Sequence, residues 1–172
     1  FFDLEWNTGF LDGNSFDEII EIGAVKTDEE YRQIDGFRRL IRPVIYRKMN
    51  PYIQKILAIT MKDLQGEEPL AAVAKAFFDW CGDCDTLIAW SGNDFGVLEK
   101  NLAHIGMKIP EQLVRYDVQM AYAYRTENSI RNYALKTAVE AMELPEPEGQ
   151  EYHDAYCDAQ FTAAIGRALT ER

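Results

Sequence analysis

The first six residues, Phe1-Phe2-Asp3-Leu4-Glu5-Trp6, alternate between apolar and acidic in a way that leaves few arrangements open. Successive side chains of a β-strand point to opposite faces, so Asp3 and Glu5 share one face while Phe2, Leu4 and Trp6 share the other. Two carboxylates then lie side by side, roughly 7 Å apart along the strand. A half-buried strand with a wet polar face would produce the same pattern. The two readings separate only if the chain returns further acids to the same place.

The 172 residues, 47% of them hydrophobic, fit a single domain spanning residues 1–172 with a substantial core. No apolar run approaches a membrane span and no segment resembles a signal peptide, so a cytoplasmic protein is expected. Three cysteines, Cys81, Cys84 and Cys157, do not make the framework of a secreted disulfide protein. Cys81 and Cys84 have redox or zinc spacing but no second ligand pair, which favours reduced thiols at a helix end.

A net charge of −11 argues against holding nucleic acid by a general basic field. Any phosphate must be met locally. Between positions 32 and 55, Arg32, Arg38, Arg39, Arg42, Arg47, Lys48 and Lys55 stand against Asp35 alone. Such a stretch is either a substrate-facing patch or a strand edge protected by charge.

In chain order, residues 7–17 read as a loop, rich in Gly and Asn. The Asp12 to Asp17 segment lacks the ligand order of a calcium loop. Residues 18–25 and 36–42 read as two further strands, giving an antiparallel meander with the first. A short helical piece follows Asn50-Pro51, and Thr60 to Asp63 has the form of a helix cap. Leu70, Val73, Phe77, Phe78 and Cys81 mark an amphipathic helix between Pro69 and Gly82. Residues 86–90 suit a buried strand reached by a parallel crossover. Asp94 begins a helix bearing Phe95, Leu98, Leu102 and Ile105; an N-cap is the ordinary role for an Asp there. His104, on the same helix, reads as a solvated surface residue. Residues 114–118 form a last strand, Leu135, Ala138, Val139 and Met142 mark another helix, and residues 145–151 are an acidic linker.

The final element, residues 154–169, places Asp158 on the stripe formed by Phe161, Ile165 and Leu169. A carboxylate there needs a partner. A buried salt bridge is one solution, but no Lys or Arg lies one turn away on the same helix. His153 precedes the helix and reaches over its start. Asp154 satisfies i, i+4 spacing with Asp158, yet reads better as a first-turn acid favoured by the helix dipole than as a ligand.

Asp3-x-Glu5, then Asp94, then His153-x-Ala155-x-x-Asp158 together resemble the three ordered motifs of the DEDDh 3′-to-5′ exonucleases. The similarity spans nearly the whole chain, with supporting segments at residues 18–25, Arg42-Pro43, Ile59-Thr60 and residues 90–94. Arg42-Pro43 and Ile59-Thr60 are most similar to the branch that trims RNA 3′ ends. The resemblance implies an α/β, RNase H-like fold, with a mixed five-stranded sheet flanked by helices and the carboxylates converging at the first strand. It implies that Asp3, Glu5, Asp94 and Asp158 bind two Mg²⁺ or Mn²⁺ ions, that His153 is the general base, and that single-stranded RNA or DNA 3′ ends are cut to nucleoside 5′-monophosphates. Four acids brought together without cations would repel one another, which fits that expectation. Trp6, where many relatives have a small residue, points away from the acids and is expected to pack in the core. Ala58 replaces a frequent Gly before Ile59-Thr60, and Asp154 adds a charge beside His153.

Three other readings use the same residues. A DNA exonuclease of the proofreading or repair kind would need the same metal site. A nucleic-acid-binding scaffold without turnover would have no reason to keep all four acids and His153. A glycosidase carboxylate pair leaves the remaining acids and His153 unexplained.

Overall fold

The computed structural model describes residues 1–145 and 152–171, so most of the expected acidic linker lies outside the described residues. Three strands, β1 (Phe2–Leu11), β2 (Asn14–Thr27) and β3 (Gln33–Leu40), form an antiparallel meander, as their alternation predicts. The expected loop at 7–17 is instead a continuation of the β1–β2 hairpin. Asp12 and Gly13 carry it round with φ of 50° and 81°. An Asp-Gly pair tolerates positive φ at both central positions, and that local preference overrides a loop-like composition.

Beyond the meander come the short helices α1 (Ile53–Ile56) and α2 (Met61–Leu64), then α3 (Leu70–Cys81). Thr60 and Asp63 form the expected capping box. Next are β4 (Thr86–Ala89), α4 (Gly92–His104), β5 (Val114–Asp117), α5 (Val118–Glu127), α6 (Leu135–Ala141) and α7 (Ala155–Thr170). β4 packs beside β1, but its hydrogen-bonded partner is β5, in parallel. The described strands therefore form sheets of three and two rather than the expected single sheet of five. α5 has no counterpart in the sequence reading. It follows β5 without a loop, and Met120 and Tyr124 are exposed while Val118, Tyr122 and Ala123 are buried, which blurs its periodicity.

One face of the meander carries Phe2, Leu4, Ile22 and Ala24 against Phe77 of α3 and Phe95, Leu98 and Leu102 of α4. Aromatic rings tie that layer together, with Phe2 and Phe95 centred 5.2 Å apart. Trp6 packs against this cluster, on the side that alternation assigns to it. A register shift after Glu5 pairs Trp6 with Ile19 and leaves Ile20 extra on β2, and Ile20 packs with Met49, Leu57 and Leu64 under α1 and α2. Cys81 ends α3 before Gly82, and neither it nor Cys84 is disulfide-bonded.

The opposite face of the meander receives α7. Asp3 pairs with Gly23, and a Cβ on Gly23 would stand 2.1 Å from the Tyr156 nitrogen and 2.2 Å from the Ala155 carbonyl carbon. Only a glycine lets the first turn of α7 lie this close to the strand. Gly23→Ala is expected to cost about 3 kcal/mol or more by forcing helix and strand apart. In a domain of this size that lowers the melting temperature by about 6–12 °C. A thermal melt within a degree or two of the parent would show that α7 can shift freely.

Candidate active site

β1 supplies Asp3 and Glu5 on the face that meets α7. Asp94 arrives from α4. Its helix is capped not by Asp94, the role considered from sequence, but by Ser91, whose hydroxyl accepts the Asn93 N–H. That leaves Asp94 in the first turn, 5% exposed, with Ser91 Oγ donating to its Oδ2 at 3.2 Å. Asp158 projects from the first turn of α7 and is also buried.

Asp154 turns out to cap α7, its Oδ1 accepting the Tyr156 and Cys157 N–H groups at 3.1 Å. A helix taken from the sequence to begin at Asp154 makes it a first-turn acid, and the observed start at Ala155 makes it the cap, so one residue's difference in the boundary decides the role. Asp154 is also paired with Arg38 at 2.6 Å, and Arg38 reaches back at 2.8 Å to Glu21, which is fully buried on β2 opposite Glu5. Arg38 thus ties the sheet to the start of α7.

His153 precedes α7 with φ of 68° and an exposed side chain. Its backbone N–H donates to Asp158 Oδ2 at 3.1 Å. Donor atoms of Glu5, His153 and Asp158 lie within 4.8 Å of one another. The other histidine, His104, is exposed as expected and rests against Phe16.

These carboxylates perturb one another. Burial, then the charges of Asp94, Asp158 and Glu5, raise Asp3 well above the ordinary carboxylate range. Burial first, and Asp158 next, push Glu5 up to about 8. Burial pushes Asp158 up to about 7 even though the His153 N–H favours its charged form. Asp94 rises less, to about 6, because hydrogen bonds from Ser91 and from backbone groups oppose its burial.

Asp158 Oδ1 is buried without a hydrogen-bond partner. An unpartnered carboxylate oxygen facing other acids is costly unless a cation answers it. Hard oxygen donors of this kind suit a divalent cation. The five residues singled out by sequence are therefore brought to one place. The structure adds two that the sequence reading passed over, Glu21 and Asn7, the latter considered below, and it gives Arg38, read from sequence as part of a substrate-facing or edge-protecting basic stretch, the task of bracing α7 with Glu21. Glu21 lay inside a segment read only as a strand, and nothing in spacing marks it as buried.

A model of the RNase_T exonuclease family matches residues 1–165. The chain belongs to that exonuclease family. Among curated relatives, a DNA polymerase III PolC-type of Clostridium perfringens is 29% identical over 167 residues, which are 95% of this chain and 10% of the polymerase. This chain thus spans about a tenth of that relative's length. Among solved structures, a 3′-exonuclease described in 3′-end recognition of histone mRNA stem-loop superposes with TM-score 0.83 at 16% identity, covering 99% of this chain and 80% of the other. The nuclease domain of 3′hExo, a DEDDh family member bound to rAMP, gives 0.79 at 16% identity, covering 99% and 90%. At that identity the superpositions establish the fold. Among the described residues no helix is long and apolar enough to cross a membrane.

Proposed function

We propose that this exonuclease domain removes nucleotides one at a time from single-stranded 3′ ends, releasing nucleoside 5′-monophosphates. The observation that carries the proposal is the convergence of Asp3, Glu5, Asp94 and Asp158 with raised proton affinities, one of them holding a buried oxygen without a partner. Those four residues would hold the divalent cations, Mg²⁺ or Mn²⁺, two in number. When bound, the ions neutralise the scissile phosphate and stabilise the attacking and leaving oxygens of an in-line displacement.

The chain's own contributions follow from its geometry. His153 stands exposed at the edge of the cluster, where a ring nitrogen can take a proton from the attacking water. Its backbone bond to Asp158 fixes its place relative to the carboxylates. The water oxygen joins the phosphorus, the P–O3′ bond breaks, and the leaving O3′ takes a proton from solvent, so the shortened strand ends in a 3′-hydroxyl. Arg38, by holding Glu21 and Asp154 together, keeps α7 and hence both His153 and Asp158 at the sheet.

The sugar preference has support on both sides. Arg42-Pro43 and Ile59-Thr60 favour RNA, and we take RNA as the first reading. The likeness to a DNA polymerase favours DNA as the second. Matched 5′-labelled single-stranded RNA and DNA, digested with Mg²⁺ or Mn²⁺ and with EDTA, should give a metal-dependent ladder shrinking from the 3′ end. Asp3→Ala should abolish it, and the faster substrate settles the preference. His153→Ala should lower turnover by about 10²- to 10⁴-fold and remove the limb of the pH–rate profile that reports the base. Intact strands in every lane, with metal bound, would leave a binding scaffold instead.

A further inference from the structure

β1 continues past Glu5, and the next residue on the same face is Asn7, roughly 7 Å along the strand. Asn7 is 1% exposed. Its side-chain amide donates to the Lys48 carbonyl at 3.0 Å, and its Oδ1 accepts the Asn50 N–H at 2.8 Å. Asn50 in turn donates to the Thr8 carbonyl at 3.1 Å. On the neighbouring strand Glu18, 4% exposed, accepts three consecutive N–H groups, those of Val44, Ile45 and Tyr46, at 2.6, 2.8 and 2.9 Å. Residues 43–52 contain no helix or strand, yet two buried polar side chains pin them to the sheet beside the acid cluster. A buried carboxylate spent on three loop amides secures one fixed backbone path.

That path presents Arg47, Lys48 and Tyr52 to solvent, Tyr52 with 69% of its surface exposed. Elsewhere in the basic stretch every cation is already engaged except Lys55, which is exposed on α1. Arg32 pairs with Asp28 and Glu30, Arg38 with Glu21 and Asp154, while Arg39 and Arg42 donate to the backbone carbonyls of Arg38 and Glu67. Among the described residues Arg47 and Lys48 make no ion pair or side-chain hydrogen bond. On a chain of net charge −11, two uncommitted cations on a backbone pinned to the strand just past Glu5 mark a place where an anion can approach.

We propose that residues 44–52 form the track for the single strand upstream of the scissile linkage, Arg47 and Lys48 meeting phosphates and Tyr52 stacking on a base. The proposal rests on the exonuclease reading and says which surface holds the rest of the substrate. A charged groove with an aromatic platform tolerates any sequence, as successive removal of nucleotides requires. It also accounts for an acidic domain gripping an acidic polymer.

The test pairs two substrates of the sugar that the labelled-strand digestion prefers: a long single-stranded oligonucleotide, and the p-nitrophenyl ester of the matching nucleoside 5′-phosphate, which has no upstream phosphate. In the Arg47→Ala/Lys48→Ala protein, the ratio of kcat/KM for the strand to that for the ester should fall about tenfold or more. The slope of log affinity against log salt, measured by strand binding in Ca²⁺, should shrink by about 1.4, at about 0.7 per lost contact on a single strand. Tyr52→Ala should weaken strand binding about fivefold or more with the salt slope kept. Lys100→Ala, on the outer side of α4, should move neither ratio nor slope. A double variant with the parent's ratio and salt slope overturns the track. A parent protein that hydrolyses neither substrate overturns the exonuclease reading, and the salt slope of binding then decides the track separately.

Discussion

Asp158→Asn is expected to lower metal-dependent turnover by about 10²- to 10³-fold while raising the melting temperature of the metal-free protein. The two effects have one cause. Asp158 is buried, its Oδ1 has no partner, and Asp154, Asp94 and Glu21 add repulsion. An asparagine keeps the acceptor for the His153 N–H and removes the charge. Its amide hydrogens can then serve a neighbouring carboxylate. Removing an uncompensated buried charge should stabilise the metal-free fold by about 2 kcal/mol, or about 4–8 °C. The same change removes one of the four proposed cation ligands, so added Mg²⁺ should raise the melting temperature of the parent far more than that of the variant. Differential scanning calorimetry with EDTA and with Mg²⁺, beside the nuclease assay, checks both halves. A variant less stable than the parent in EDTA would mean that the Asp158 charge is already answered by protein groups.

The metal-free protein should also become less stable as pH rises from about 4 to about 8. Glu5, Asp158 and Asp94 are pushed up to about 8, 7 and 6 in the folded chain, and the unfolded chain returns them to ordinary carboxylate values. Between those limits the folded state holds more protons than the unfolded one, so unfolding becomes easier with each rise in pH. The stabilisation is complete below the unfolded values and is lost as pH climbs through the folded ones. Its size is about 2–5 kcal/mol once the groups' mutual coupling is allowed for. On the proposed function divalent cations bind the ionised cluster, so a hundredfold excess over the dissociation constant should restore about 2.7 kcal/mol at pH 8 and much less at pH 5. Chemical denaturation across that pH range, with EDTA and with Mg²⁺, reads the prediction directly. A stability that is flat or rising with pH in EDTA would refute the raised proton affinities.

Both expectations come from an arrangement that neither acid of β1 reveals alone. Asp3 and Glu5 share a face because strands have a period of two, and a six-residue window contains that period in full. Asp158 was legible for a related reason: a carboxylate on an apolar helical stripe violates the pattern around it. The meander, the helix from Leu70 to Cys81 and the cap at Thr60 were likewise written in local spacing. So was the place of His153 ahead of α7. The hairpin at Asp12-Gly13 was present in the sequence too, but its turn signal was outweighed by composition.

Tertiary structure decided what local pattern could not carry. Gly23 reads as one glycine among several until the backbone of Ala155 and Tyr156 is seen lying on it. Glu21 occupies an ordinary strand position, and its burial opposite Glu5 depends on a helix more than a hundred residues later in the chain. Arg38 belonged to a run of basic residues that looked equivalent, and only its two ion pairs separate it from Arg47 and Lys48. Asn7 and Glu18 looked like loop and strand polarity, yet they hold residues 44–50 by bonds spanning 26 to 43 positions. The sequence by itself determined which residues are acids, which alternate and which helices are amphipathic, because those properties repeat within a turn or a pleat. Which acids meet, what braces them and which cations remain free were settled by long-range packing, whose partners no local period specifies.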